Sequence, residues 1–292
     1  MANSRIDQAD GLRRMLAREG LRVVSVSAAG RAGNDIGAII NLAGALTEIG
    51  SDVLILDERS GRPSAAGVPG RNVRFNLKDL LGGSRPLDDM IVHGPGGIRV
   101  LPLAECGLNL RQLPETEQHR LKLRLRHLAN PVDTLLVDAT PASANALLSG
   151  AAGVRDVIVL AGGGATEITA AYGLIKRLSN EFARREFHIL VGNVASENRA
   201  RSIVSHMAGV ARHYLRVSLD FIGHVPPDEK LLHAARLRLP VGTAFPSAAA
   251  ATSFRSVAHA VANWPRDPYD TGVPNDAMSH FMHSHSLRAV AA

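Results

Sequence analysis

The feature that most constrains this chain is a recurring alternation of short apolar runs with longer stretches of helical periodicity. The apolar runs are Arg22–Ser27 (RVVSVS), Asp52–Asp57 (DVLILD), Gly97–Leu101, Asp133–Asp138 (DTLLVD), Asp156–Ala161 (DVIVLA), Phe187–Val191 and Ser218–Gly223. The two near-continuous runs DTLLVD and DVIVLA suit strands covered on both faces, as in a parallel sheet. Between the runs, Asp35–Ile49, Ala165–Ala183, Glu197–Tyr214 and Ser247–Asn263 read as helices. In the first of them Ile36, Ile40, Ala43 and Leu46 recur at the spacing of one inward face. Asn76–Leu81 and Glu115–Leu128 are expected as further helices. Strands alternating with helices imply βαβ units, so the expected fold is α/β: a doubly wound, mostly parallel sheet of seven or eight strands flanked by helices. In such sheets ligands sit beyond the C-terminal ends of the strands.

Three regions follow along the 292 residues: an N-terminal helix within 1–20, an α/β domain over 21–264, and a flexible tail over 265–292 where the pattern fails. Ser4, with Asp7 three residues on, has a capping-box spacing, and Ile6, Ala9, Leu12 and Leu16 share a helical face. Apolar residues make up 46% of the chain, which excludes global disorder. No apolar run nears the ~20 residues of a membrane-spanning helix, and Met1–Gly20 is too polar for an export signal. A single cysteine, Cys106, excludes a disulfide framework or a cysteine-based zinc site. A cytoplasmic location is expected. The net charge is +6, yet only four of the 33 basic residues are lysines, at 78, 122, 176 and 230. The arginines are scattered rather than clustered in sequence.

The scarcity of lysine matters at the loop after the first strand, Ser27-Ala28-Ala29-Gly30-Arg31-Ala32-Gly33-Asn34-Asp35. A glycine-containing loop running into a helix N-terminus is where a phosphate would sit. A working phosphate loop also needs a lysine for the β/γ-phosphates and a hydroxyl for magnesium. Gly30 and Gly33 are present, but Asn34 and Asp35 stand at the lysine and hydroxyl positions, and no lysine precedes Lys78. Asp35 adds negative charge where anions should be attracted. Arg31 is the one nearby cation, on a long fork that a tight loop has little room for.

The loop and the following Asn41-Leu42-Ala43-Gly44-Ala45-Leu46 resemble the deviant Walker A region of the MinD/ParA family, in which S-G-K-G-G-V-G-K-T precedes N-L-A-x-A-L. On that resemblance the family's signature lysine falls on Ala29, its loop lysine on Asn34 and its threonine on Asp35. Within the family the chain is most similar to the FlhG/FleN branch, regulators of flagellar number and placement. Asp7-Gln8-Ala9 with Leu12-Arg13 resembles the opening motif of that branch, Thr166–Lys176 (TEITAAYGLIK) its T-x-I-T-D-A-Y-x-L-I-K helix, and Val225-Pro226-Pro227-Asp228 its V-P-x-D turn. Asn193 falls where the family places an adenine-contacting Asn. Asp57 keeps the first Asp of a D-x-D pair whose second position is Arg59, and Asp138 opens a switch segment that lacks its glycine.

The resemblance implies a nucleotide site at Gly30, Arg31, Gly33, Asn34, Asp35, Asp57, Asp138 and Asn193, with no catalytic residue and no metal site left intact. It implies a non-hydrolysing pseudo-ATPase for which no cofactor is expected, ATP and magnesium being the alternative. It further implies that Asp7, Gln8, Ala9, Leu12 and Arg13 contact an FlhF-like GTPase. A flagellar switch component or a flagellar transcription activator is a further partner. Any homodimer would be independent of nucleotide, because Ala29 replaces the lysine that closes the family's ATP dimer. Phe281, Met282, Leu287 and Val290 offer a weak membrane contact, which would take the protein to the inner membrane or a cell pole.

Other readings compete with these. One is a residual MinD/ParA-type ATPase in positioning or transcriptional control, using Arg31 and Asp138 in unusual roles. Another starts from Tyr172 and Lys176, which match the Y-x-x-x-K pair of short-chain dehydrogenases, with Asp57 at a distance from Gly33 suited to a ribose binder. The glycine spacing does not fit that enzyme class, and no Ser stands about a dozen residues before Tyr172. His280, His283 and His285 have a spacing that could bind a metal, although a polar tail accounts for them equally.

Overall fold

In the computed structural model the described residues are 22–28, 34–57, 87–102, 116, 132–139 and 156–264. Their elements, in chain order, are β1 (Arg22–Ala28), α1 (Asn34–Glu48), β2 (Val53–Asp57), β3 (Val92–His93), β4 (Arg99–Pro102), β5 (Thr134–Ala139), β6 (Asp156–Gly162), α2 (Ala165–Phe182), β7 (Glu186–Gly192), α3 (Glu197–Leu215), β8 (Ser218–Val225), α4 (Glu229–Leu237), α5 (Val241–Ala244) and α6 (Ala249–Ala262). The expected helices at 4–19 and 76–81, Cys106 and the tail lie outside the described residues, and of the helix expected at 115–128 only Thr116 is described, where it is helical.

Eight strands form one sheet in the order β3-β4-β2-β5-β1-β6-β7-β8. All pairings are parallel except that of β3 with β4. The strand order reverses at β1, whose two neighbours come from later in the chain, so the C-terminal end of β1 is a topological switch point. The near-continuous apolar runs serve two cores, one on each face of the sheet. Leu54, Leu56, Val137, Val157, Val159, Phe187 and Ile189 face α2 and α3. Val24, Val26, Val53, Ile55, Leu136 and Ile158 face α1 and α6.

The inward face of α1 is carried by Ile39, Leu42, Ala43 and Leu46, with Ile40 half-buried beside them. Of the expected inward residues Ala43 and Leu46 are buried and Ile40 half-buried, and Ile39 and Leu42 widen the stripe. The helix packs against α6 as well as against β1 and β2, and this wider contact selects Ile39 and Leu42. Three elements are not legible in the sequence pattern: β3, α4 and α5. The strand expected at Gly97–Leu101 begins at Arg99, because Pro95–Gly97 forms a short 3-10 turn.

At the N-terminal edge of the sheet, Arg22 on β1 is buried and closes the end of α6. It donates to the carbonyl of Val261 and, at 2.8 Å, to that of Trp264. A cation at a helix C-terminus satisfies carbonyls that the helix itself leaves open. Trp264 stacks on His188 of β7 with ring centroids 4.0 Å apart, and His188 lies 3.7 Å from Asp156. These contacts seat α6 on the sheet and leave the opposite edge open.

Candidate functional site

That opposite edge holds a cavity of about 620 Å³. Its floor is made by the C-terminal ends of four strands: Ala28 of β1, Leu160–Gly162 of β6, Gly192 of β7 and Val225 of β8. Its walls are the first turns of α1 (Gly37, Ala38, Asn41) and α2 (Thr166, Glu167, Ala170), and α4 with the link before it (Pro226–Glu229, Leu231, Leu232, Ala235). The volume is that of a small-molecule site, and the position is where ligands of open α/β sheets bind.

Local sequence explains each wall. The turn from β6 to α2 is Gly162-Gly163-Gly164, and Glu167 folds back over it to accept a hydrogen bond from the Gly164 N–H at 3.0 Å. A Cβ on Gly162 would overlap the Glu167 carboxylate, and one on Gly163 would lie 2.6 Å from Cγ2 of Val194. The α4 wall is fixed by Asp228. One carboxylate oxygen accepts from the Lys230 N–H at 2.9 Å and the other from the Ala250 N–H at 3.0 Å, so a single side chain caps α4 and ties it to the first turn of α6. The α1 wall is fixed by Asn41, which is buried. It donates to the Gly37 carbonyl at 2.6 Å and accepts from the Val241 N–H at 2.6 Å.

Of the residues singled out in the sequence, Asn193 lines the cavity, at the end of β7, with φ of 57°. A left-handed conformation at a non-glycine residue is tolerated best by Asn and Asp. Asn34 and Asp35 are the first two residues of α1. Asp57 and Asp138 are brought together: they are register partners at the ends of β2 and β5, each only 1% exposed. Neither is among the cavity's lining residues. Gly30, Arg31 and Gly33, and Asp7, Gln8, Ala9, Leu12 and Arg13, lie outside the described residues. Tyr172 packs half-buried against the α2–α3 core, Lys176 is exposed, and neither lines the cavity, so no dehydrogenase pair forms there. Sequence reasoning missed Asn41, Glu167 and Asp228 as the residues that shape the walls. Asn41 and Asp228 are visible inside their motifs, but their distant partners are not.

The ionisable groups among the described lining residues are Glu167, Asp228 and Glu229; Lys and Arg are absent from that set. Among the described residues no group of three or more His, Cys, Asp or Glu could hold a metal ion. No described helix is long and apolar enough to cross a membrane.

No protein-family model matches the chain. Antiactivator FleN of Pseudomonas aeruginosa is 28% identical over 226 residues, covering 77% of this chain and 81% of that protein. Among solved structures, the MinD cell division protein of Aquifex aeolicus superposes with a TM-score of 0.61 at 17% identity, over 84% of this chain and 98% of that one. The similarity to FleN and the shared MinD fold support a MinD/ParA-type P-loop family close to FlhG/FleN. A ParA family ATPase from Chlorobium tepidum shares the fold of this chain with a TM-score of 0.59 at 15% identity, over 82% of this chain and 98% of that one. The eight-stranded sheet with β1 at the switch point is the fold that these proteins share.

Proposed function

We propose that this chain is a FleN-like regulator of flagellar number or placement that has lost ATP hydrolysis and works as a binding module. The observation that carries the reading is at the start of α1. The helix N-terminus is in place at the switch point, but its first residues are Asn34 and Asp35. An amide and a carboxylate stand where a MinD/ParA-type site needs a lysine and a hydroxyl. Phosphoryl transfer depends almost wholly on positioned positive charge. Ala29 removes the second lysine, and the described cavity wall contributes carboxylates. These residues do not suit a magnesium–triphosphate, so no hydrolytic step is assigned to them.

On this reading ATP does not switch the protein, and any dimer forms without nucleotide. The flagellar role rests on the similarity to antiactivator FleN. The contact with an FlhF-like GTPase rests on Asp7, Gln8, Ala9, Leu12 and Arg13; a flagellar switch component or transcription activator is the further partner.

Calorimetric titration with Mg-ATP and Mg-ADP tests the first part. Absence of heat at millimolar nucleotide is expected, and micromolar binding would overturn it. The GTPase rate of FlhF with a peptide of residues 1–20 tests the second, with stimulation expected.

The retained cavity, with Asn193 and Asp228 at its rim, favours one second reading: a residual MinD/ParA-type ATPase in positioning or transcriptional control. The same titration separates the two.

A further inference from the structure

Strand β8 is the last in the sheet and pairs only with β7 among the described residues. One side of its backbone ladder is thus a sheet edge. Such an edge is a template for another strand unless it is blunted or covered.

The side chains beside this edge are predominantly basic on one face. Arg201 and Arg212 are eleven residues apart on α3, three helical turns, and so project from the same side of it. That side covers β8, because the Arg201 guanidinium lies 4.5 Å above the Phe221 ring. The chain turns back into β8 through Arg216, in the left-handed conformation with φ of 55°. There the Ser218 N–H donates to the Arg185 carbonyl at 2.8 Å, and the Arg185 side chain donates to Ser179 Oγ and to the Leu215 carbonyl. Arg185 and Arg216 thus lie where β8 begins, with Arg212 in the last turn of α3 beside them. On α3 the only acid is Glu197; it pairs with the exposed Arg201, which leaves Arg212 as the cation of that stripe with no further acid on its own helix.

Arg184 differs from these. Its Nε and Nη2 are buried and make no hydrogen bond, and burial lowers its pKa below the ordinary arginine value. Nε and Nη2 form the edge of the guanidinium that donates to a carboxylate through two parallel bonds.

We propose that the edge of β8 and the arginines beside it dock an acidic, extended segment of a partner protein, which adds as a ninth strand. Main-chain hydrogen bonds to β8 supply the adhesion, and alternate side chains supply the selectivity. Successive strand residues point to opposite faces, and on β8 this holds over Ser218–Phe221, ahead of the bulge at Ile222. Those on the α3 face meet Arg201 and Arg212, and those on the other face meet Asp220, which pairs in register with His188. The fitting segment therefore alternates acidic with uncharged residues. The ladder favours a peptide over a nucleic acid or a lipid surface, neither of which uses strand hydrogen bonds. This inference stands apart from the nucleotide cavity and holds whether or not ATP binds.

The test uses the full chain and a Glu-Val alternating peptide of eight residues, with a Lys-Val peptide as control. The expected result is saturable binding of the Glu-Val peptide, new amide exchange protection along β8, and a roughly tenfold loss of affinity in R201E/R212E, with melting behaviour of the variant as the folding control. Salt on the order of 0.5 M should weaken the binding. Three results would overturn the proposal: unchanged affinity in the folded R201E/R212E variant, binding without protection of β8 amides, or tighter binding of a short DNA duplex or phosphatidylserine vesicles than of the peptide. Absence of peptide binding overturns it equally.

Discussion

The side-chain oxygen of Asn41 accepts a hydrogen bond from the backbone N–H of Val241, 2.6 Å away and 200 residues later in the chain. The Asn41 amide group at the same time donates to the Gly37 carbonyl. The first residue of N-L-A-G-A-L therefore joins α1 to α5 and stiffens one wall of the cavity. Removing it leaves a buried N–H without a partner, which costs about 1–3 kcal/mol. Asn41→Ala is expected to lower the unfolding free energy by that amount in a urea titration. Asn41→Asp keeps an acceptor for Val241 but buries a carboxylate against the Gly37 carbonyl, so it is expected to destabilise at least as much as Asn41→Ala.

Gly44 in the same motif has a different duty. A Cβ there would lie 2.6 Å from Cβ of Pro240 and 2.9 Å from its Cγ. Gly44→Ala must push α1 and the start of α5 apart, at a cost of about 1–3 kcal/mol for overpacking. Thermal unfolding should show a lower midpoint for Gly44→Ala and no comparable change for Gly173→Ala, where a Cβ meets nothing within 4 Å.

Asp228 holds two helix starts with one carboxylate. Asp228→Ala loses both bonds, and at about 1 kcal/mol per cap the loss should approach 2 kcal/mol. Because α4 carries Leu231 and Leu232 along the cavity, amide exchange in Glu229–Leu237 should accelerate more than in α2 or α3. Equal acceleration everywhere would show that the cap supports the whole fold rather than this wall.

Arg184 offers the opposite sign. Its guanidinium is desolvated with two nitrogens unpaired, and exchanging a buried charge for an apolar side chain of similar length is often stabilising. Arg184→Met is expected to raise the melting midpoint by about 2–4 °C. The gain should hold across the whole accessible pH range. The cation is disfavoured in the folded state, so the penalty persists at every pH below the folded pKa and is relieved only as the pH rises through it, in strong alkali.

If the proposed reading is right, adding the family's lysines and hydroxyl should confer nucleotide binding. The triple variant A29K/N34K/D35T places two lysines and a hydroxyl around the N-terminus of α1. It is expected to bind Mg-ATP in a calorimetric titration where the unaltered chain does not. If neither binds, the surviving loop geometry is unsuitable for phosphate irrespective of its side chains.

The layered architecture is readable because β2, β5 and β6 are apolar on both faces, and such strands are stable only with a layer packed on each side. Helix α4 is harder to see. Pro226 and Pro227 announce a turn and Asp228 reads as part of it, although Asp228 is the N-cap of the helix that follows. β3 has two residues and exists only through its pairing with β4. The neighbourhood of Asp57 and Asp138 depends on register between strands far apart in the chain, which no local pattern encodes. The cavity follows from the fold class, but its walls do not. Asn41 and Asp228 act through partners that become neighbours only when α5 and α6 pack.

The Asn41–Val241 bond and the fit of Gly44 against Pro240 give N-L-A-G-A-L an architectural purpose independent of any bound nucleotide. Selection for a stable fold can therefore preserve that signature whether or not lysines stand upstream of it. On the non-hydrolysing reading proposed above, a genome survey that counts ATPases by this helix motif would enrol chains of this kind among the enzymes, and one that scores positions 29, 34 and 35 would separate them.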